Sequence, residues 1–159
     1  MNSDAAAATG AVMVKDNGFR YPVEVRFFEV DSLGVVFNMW YLGWCDEAMG
    51  AFMESIGHGY ATLRASGMDA VLRKAELEWV DSPQAFEHAE VAVRVEHVGM
   101  TSFRLGYDIE RVLERGNVSG RQPARRAQVA ITYVCVQIAG RHSVPIPGGL
   151  REALVSDRA

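Results

Sequence analysis

The sequence predicts an α+β domain in which one sheet of about five strands is covered by a single long helix. Three observations predict it. Residues 39–57 carry apolar or small side chains at three- and four-residue steps. Most of the chain after them alternates with period two, and the elements run strand, helix, then four strands.

Taken in order, residues 1–18 are small, polar or glycine-containing and read as a flexible arm ahead of one domain over residues 19–155. From Tyr21 to Phe28 the β-branched and aromatic content reads as a first strand, broken by a turn between Glu29 and Gly34. The helix follows. Trp40, Trp44, Ala48, Ala51, Phe52, Ser55 and Ile56 share its apolar face, Asn38 is its expected N-cap, and Gly57 with Gly59 supplies the stop. Next, Ala75, Leu77 and Trp79 alternate with Lys74, Glu76 and Glu78, and Val91, Val93 and Val95 with Glu90, Ala92, Arg94 and Glu96. Phe103, Leu105, Tyr107 and Ile109, then Val129, Ile131 and Tyr133, repeat the pattern, so each segment is a strand with one wet face. Gly99 and Met100 form a tight hairpin, residues 114–123 a longer loop, and Pro145 to Leu150 an extended entry to a short helix ending at Ala153 or Leu154.

With 159 residues and 49% hydrophobic composition, the chain can bury a core without metal or disulfide help. Its net charge of −4 argues against nucleic acid as a partner. No segment reads as a secretory leader or a membrane span, which makes the cytoplasm the expected location. Cys45 and Cys135 fall in the helix and in a strand, without metal-site spacing. His58, His88, His97 and His142 are scattered as well, and there is no Gly-x-Ser-x-Gly sequence. Neither a metal nor a cofactor is expected.

Chemistry concentrates between Val25 and Asn38. An apolar-rich run ends in Asp31, turns at Gly34, and passes through a second apolar run into the helix. That order sets a carboxylate beside a helix N-terminus, where free backbone N–H groups and the positive end of the dipole collect. Together they can attack and polarise a carbonyl.

Asp31, two residues, Gly34, two apolar residues, then Phe37 and Tyr41 resembles the signature of the 4-hydroxybenzoyl-CoA thioesterase family of hotdog-fold proteins. The resemblance covers roughly residues 20–155. It implies a curved antiparallel sheet wrapped around one long central helix, in paired subunits. It also implies hydrolysis of an acyl-CoA thioester to a carboxylic acid and free CoA. In that family the aspartate attacks the thioester carbonyl or activates a water, which assigns Asp31 the role of nucleophile or general base. Backbone N–H groups around Asn38, Met39 and Trp40 would hold the oxyanion, Gly34 would allow close approach of the turn, and Phe37, Trp40 and Tyr41 would shape the acyl pocket. The implied assembly is a homodimer or homotetramer with the pocket between subunits.

The chain departs from the family pattern at three places. Many members carry His or Tyr seven residues after the aspartate and Asn two positions later, where this chain has Asn38 and Trp40, so Asn38 is either the N-cap or a direct contact to the carbonyl or water. A Gly-Asp pair often precedes the third strand; here it is Glu87-His88. Asp46 and Glu47 on the helix compete for the acid role, because another hotdog branch places its acid there; both read more simply as solvated helix carboxylates. Arg115, Arg121, Arg125, Arg126 and Arg141 form a local basic rim suited to CoA phosphates, or a solvated loop. An acyl carrier protein is an alternative source of the thioester. A non-catalytic acyl-CoA binding or sensing protein is the alternative from another class.

Overall fold

A computed structural model describes residues 13–15, 18–112 and 125–157. Its strands are β1 (Met13–Lys15), β2 (Gly18–Glu24), β3 (Met68–Trp79), β4 (His88–Val98), β5 (Ser102–Arg111), β6 (Arg125–Gln137) and β7 (His142–Ser143). The helices are α1 (Trp40–Ser55), α2 (Tyr60–Ala65) and α3 (Gly148–Asp157), and a single 3₁₀ turn covers Phe27–Glu29. Five long strands, in the order β2-β4-β5-β6-β3, make one antiparallel sheet; β1 extends it beyond β2 and β7 pairs with β6. The sheet curls around α1, as the resemblance implied. No helix among the described residues is long and apolar enough to cross a membrane.

Period-two alternation sets the two faces of the sheet. Val91, Val93, Val95, Phe103, Leu105, Tyr107, Ile109, Val129, Ile131 and Tyr133 are buried, and Tyr41, Trp44, Cys45, Ala48 and Phe52 of α1 are buried in the same cluster. Phe19 of β2 meets Phe52 edge-on, with ring centroids 5.6 Å apart. On the opposite face the polar half of each strand forms a chain of ion pairs. Lys74–Glu76 (3.0 Å), Glu76–Arg104 (2.6 Å), Arg104–Glu96 (2.9 Å) and Glu96–Arg94 (2.9 Å) run on through Asp108 to Arg125. Such exposed pairs contribute little each to stability, but they keep this face wet.

Several expectations need correction. The first strand ends at Glu24 rather than Phe28, because the Glu29 side chain accepts the Arg26 N–H and folds residues 26–29 into the 3₁₀ turn. Asn38 is not the N-cap of α1: Met39 occupies that position, already in right-handed helical conformation, and no side chain caps the helix. The Gly57 stop is a Schellman motif, with Gly57 at φ +78° and the His58 and Gly57 N–H groups donating to Met53 and Glu54 carbonyls. β3 begins at Met68, well before its alternation is visible, because a bulge between Leu72 and Lys74 breaks the period. α2 was not foreseen; only Leu63 of its six residues is buried. The Gly99-Met100 hairpin is present, closed by Gly99 N–H donating to Ser102 O at 2.7 Å. The terminal helix runs further than expected, to Asp157, and buries Leu150 and Leu154. Residues 1–12, 16–17, 113–124 and 158–159, among them Arg115 and Arg121, lie outside the described residues.

Candidate active site

The segment from the end of β2 to the start of α1 is a small closed loop. Asp31 N–H donates to Val35 O (2.9 Å), Gly34 N–H to Asp31 O (3.0 Å), and Phe37 N–H to Glu29 O (2.8 Å), while Val30 and Val36 form an antiparallel bridge. Gly34 has φ +76°, a left-handed conformation that side-chain-bearing residues rarely adopt, so the glycine is required by the backbone. From outside, the β3–β4 connection braces the loop: Val36 N–H donates to Pro83 O at 2.9 Å and Val35 bridges Gln84.

Asp31 is half-buried in this loop. Its Oδ1 accepts the Leu33 N–H at 2.8 Å, an Asx turn, and Oδ2 accepts no hydrogen bond among the described residues. One oxygen therefore orients the carboxylate and the other is available. The loop then returns through Phe37 to the head of α1. There the Trp40 N–H is spent on Phe37 O (3.0 Å), whereas the N–H groups of exposed Asn38 and Met39 have no acceptor among the described residues. These two free donors lie at the positive end of a 16-residue helix. A carboxylate oxygen and two unpaired N–H groups on one short loop are the parts needed to activate a nucleophile and hold an oxyanion.

The residues expected to shape a pocket divide into two groups. Phe37 and Met39 are exposed and Trp40 is half-buried, its ring edge-on to exposed Phe28 at 5.4 Å; with Phe27 and Leu33 they form an apolar rim around the loop. Tyr41 points the other way. Its side chain is fully buried against Trp44 and Trp79, where burial raises its phenol above the ordinary range despite the nearby Arg126 charge. It supports the loop from behind. Glu47 is exposed and accepts from Tyr21 Oη at 3.3 Å, beside Trp44 in a cleft of about 160 Å³ between β2 and α1.

The expected basic rim is reduced. Arg126 is buried at 7% exposure, paired with Asp81 and Glu87, and Arg125 pairs with Asp108 at 2.8 Å. Arg126 also accepts the Val80 and Asp81 N–H groups on its carbonyl, so it anchors the connection that braces the Asp31 loop. Two residues that hold the site together, Arg126 and Glu29, were read from sequence as a rim residue and a turn residue. The available signal for Glu29 was a lone carboxylate inside the apolar run Phe27, Phe28, Val30.

A family model described as "Thioesterase-like superfamily" matches residues 25–154, from the first residue of the loop region to the last turns of α3. A protein of Aquifex aeolicus (strain VF5) named "Putative esterase" is 31% identical over 90 residues, which span 56% of this chain and 70% of that one. Two solved structures share the fold. The dynemicin thioesterase matches with a TM-score of 0.74 at 24% identity, over 87% of this chain and 95% of its own. A 1,4-dihydroxy-2-naphthoyl-CoA thioesterase from Synechocystis matches with a TM-score of 0.72 at 20% identity, over 86% and 95%.

Proposed function

The chain belongs to the thioesterase-like superfamily, and from that membership we propose that it hydrolyses acyl-CoA thioesters, in the manner of the 4-hydroxybenzoyl-CoA thioesterase family. The observation that carries the reading is the pairing, within one hydrogen-bonded loop, of the Asp31 carboxylate with the unpaired N–H groups of Asn38 and Met39. Asp31 acts as general base or as nucleophile. As base it takes a proton from water, the water oxygen bonds to the acyl carbon, and the carbonyl oxygen becomes an oxyanion held by the two N–H groups. Collapse breaks the C–S bond; the CoA thiolate leaves and takes up the proton. As nucleophile Asp31 itself bonds to the acyl carbon, and water then hydrolyses the resulting mixed anhydride.

The exposed rim of Phe28, Phe37, Met39 and Trp40 suits an aryl or medium aliphatic acyl group. In one protomer this rim faces open solvent, which supports a homodimer, or a tetramer built from it, as the working form. The experiment is an acyl-CoA hydrolysis panel on wild type and Asp31→Asn. Asp31→Asn should lower kcat by about a hundredfold to ten-thousandfold, the usual worth of a positioned acid or base. A variant at wild-type rates removes Asp31 from the mechanism. Activity only with a carrier-bound acyl group identifies a carrier protein as the substrate source, and saturable binding without turnover identifies a sensor. Label found in the Asp31 carboxylate after a single turnover in ¹⁸O-water identifies the nucleophilic path with water attacking the aspartyl carbon of the anhydride, since the general-base path places label only in the product acid.

A further inference from the structure

We propose that Glu29 is a positioning residue, a buried carboxylate that fixes the distance between Asp31 and the oxyanion donors at the head of α1. The proposal rests on the thioesterase reading for the reaction it serves. Glu29 is 2% exposed, and a carboxyl group that deep is costly unless its oxygens are hydrogen-bonded. They are: Oε1 accepts Trp44 Nε1–H at 3.2 Å and Oε2 accepts the Arg26 N–H at 2.8 Å. The backbone of the same residue donates to Arg26 O (3.0 Å) and accepts from Phe37 N–H (2.8 Å).

One residue thus ties together three segments: the entry to the 3₁₀ turn, the point where the loop returns, and the second turn of α1. Asp31 follows Glu29 by two positions, and Asn38 and Met39 directly follow Phe37. Both feet of the loop are therefore set by Glu29, and its Trp44 bond locks them to the helix that follows the donors. The two N–H groups reach different atoms of the side chain, so both positions require acceptor oxygens. A carboxylate has them, whereas the amide of glutamine would turn an NH₂ toward one of the donors.

The test uses Glu29→Gln, Trp44→Phe and their combination. It measures kcat and KM on an acyl-CoA that wild type hydrolyses, the melting temperature, and hydrogen exchange at the Phe37, Asn38 and Met39 amides. Each single variant should lower kcat about tenfold to a hundredfold, the effect of a small misplacement of reacting groups, with KM nearly unchanged. The double variant should be no worse than the more impaired single one, and the Phe37 amide should exchange faster in both. Lower melting temperatures with unchanged kcat would make Glu29 purely structural and overturn the proposal. Should Glu29→Gln not fold, Trp44→Phe carries the same comparison. If wild type turns over no acyl-CoA, only the thioesterase reading fails; the exchange rates then decide, and an unaltered Phe37 amide overturns the clamp.

Discussion

At the scale of single residues, the site depends on backbone geometry as much as on side chains. Gly34 illustrates this: a Cβ added there meets nothing within 4 Å, yet the residue sits at φ +76°. Gly34→Ala should therefore destabilise the protein by about 1 kcal/mol through backbone strain alone. Gly34→Asn should cost less, since Asn tolerates the left-handed region better. Urea titration of both variants checks this; equal losses would mean that space, not conformation, is limiting. The same residues show what was legible in the sequence. Asp31 and Gly34 were readable because turn chemistry is local. Asn38 was misread because a residue type favoured at N-caps does not decide where the chain enters helical conformation; here Met39 enters first. Glu29 was hidden because its partners, Trp44 and Phe37, come from elsewhere in the chain.

Among the elements, those with one face buried were visible and those without were not. β4, β5 and β6 show their alternation in the sequence because one face of each lies in the core. The first half of β3 hides behind its bulge, and α2 is too short and too exposed to show a stripe. Burial in the β5–β6 region has a consequence at alkaline pH. It pushes the Cys135 thiol from its ordinary 9.0 up to about 11, and it raises the Cys45 thiol and the phenols of the hydrogen-bonded pair Tyr107 and Tyr133. For Cys135 the neutral thiol is favoured in the folded state, so the unfolded thiol ionises first. Its contribution is complete below pH 9 and is lost as pH rises toward 11. A shift of this size corresponds to on the order of 2 kcal/mol. Urea midpoints should fall steadily across that window, and Cys135→Ala should flatten part of the slope. A constant midpoint in the wild type would mean that the native strand already lets the thiolate reach water.

For the whole molecule, the decisive feature is the unpaired edge of the sheet. β1 extends the β2 side, but β3, 12 residues long, has β6 as its only sheet neighbour among the described residues. Val71 and Leu72 on it are 41% and 46% exposed, and Trp79 and Val80 at its end are exposed as well. A long unpaired edge carrying exposed apolar residues invites pairing with another chain. Pairing β3 with β3 of a second copy across a two-fold axis would cover it and continue the sheet. Trp79 touches Tyr41, and the connection after β3 braces the Asp31 loop, so this edge and the candidate site belong to one mechanical unit. Val71→Asp combined with Leu72→Asp tests the link. Exposed substitutions alter the stability of a lone protomer by less than about 0.5 kcal/mol each, whereas like charges facing each other across a two-fold interface oppose association. Light scattering should show wild type as a dimer or larger and the double variant as a monomer. Thioester hydrolysis should fall at least tenfold with dissociation and recover as protein concentration is raised. A folded monomer with undiminished turnover would show that one protomer suffices and that the β3 edge serves no catalytic assembly.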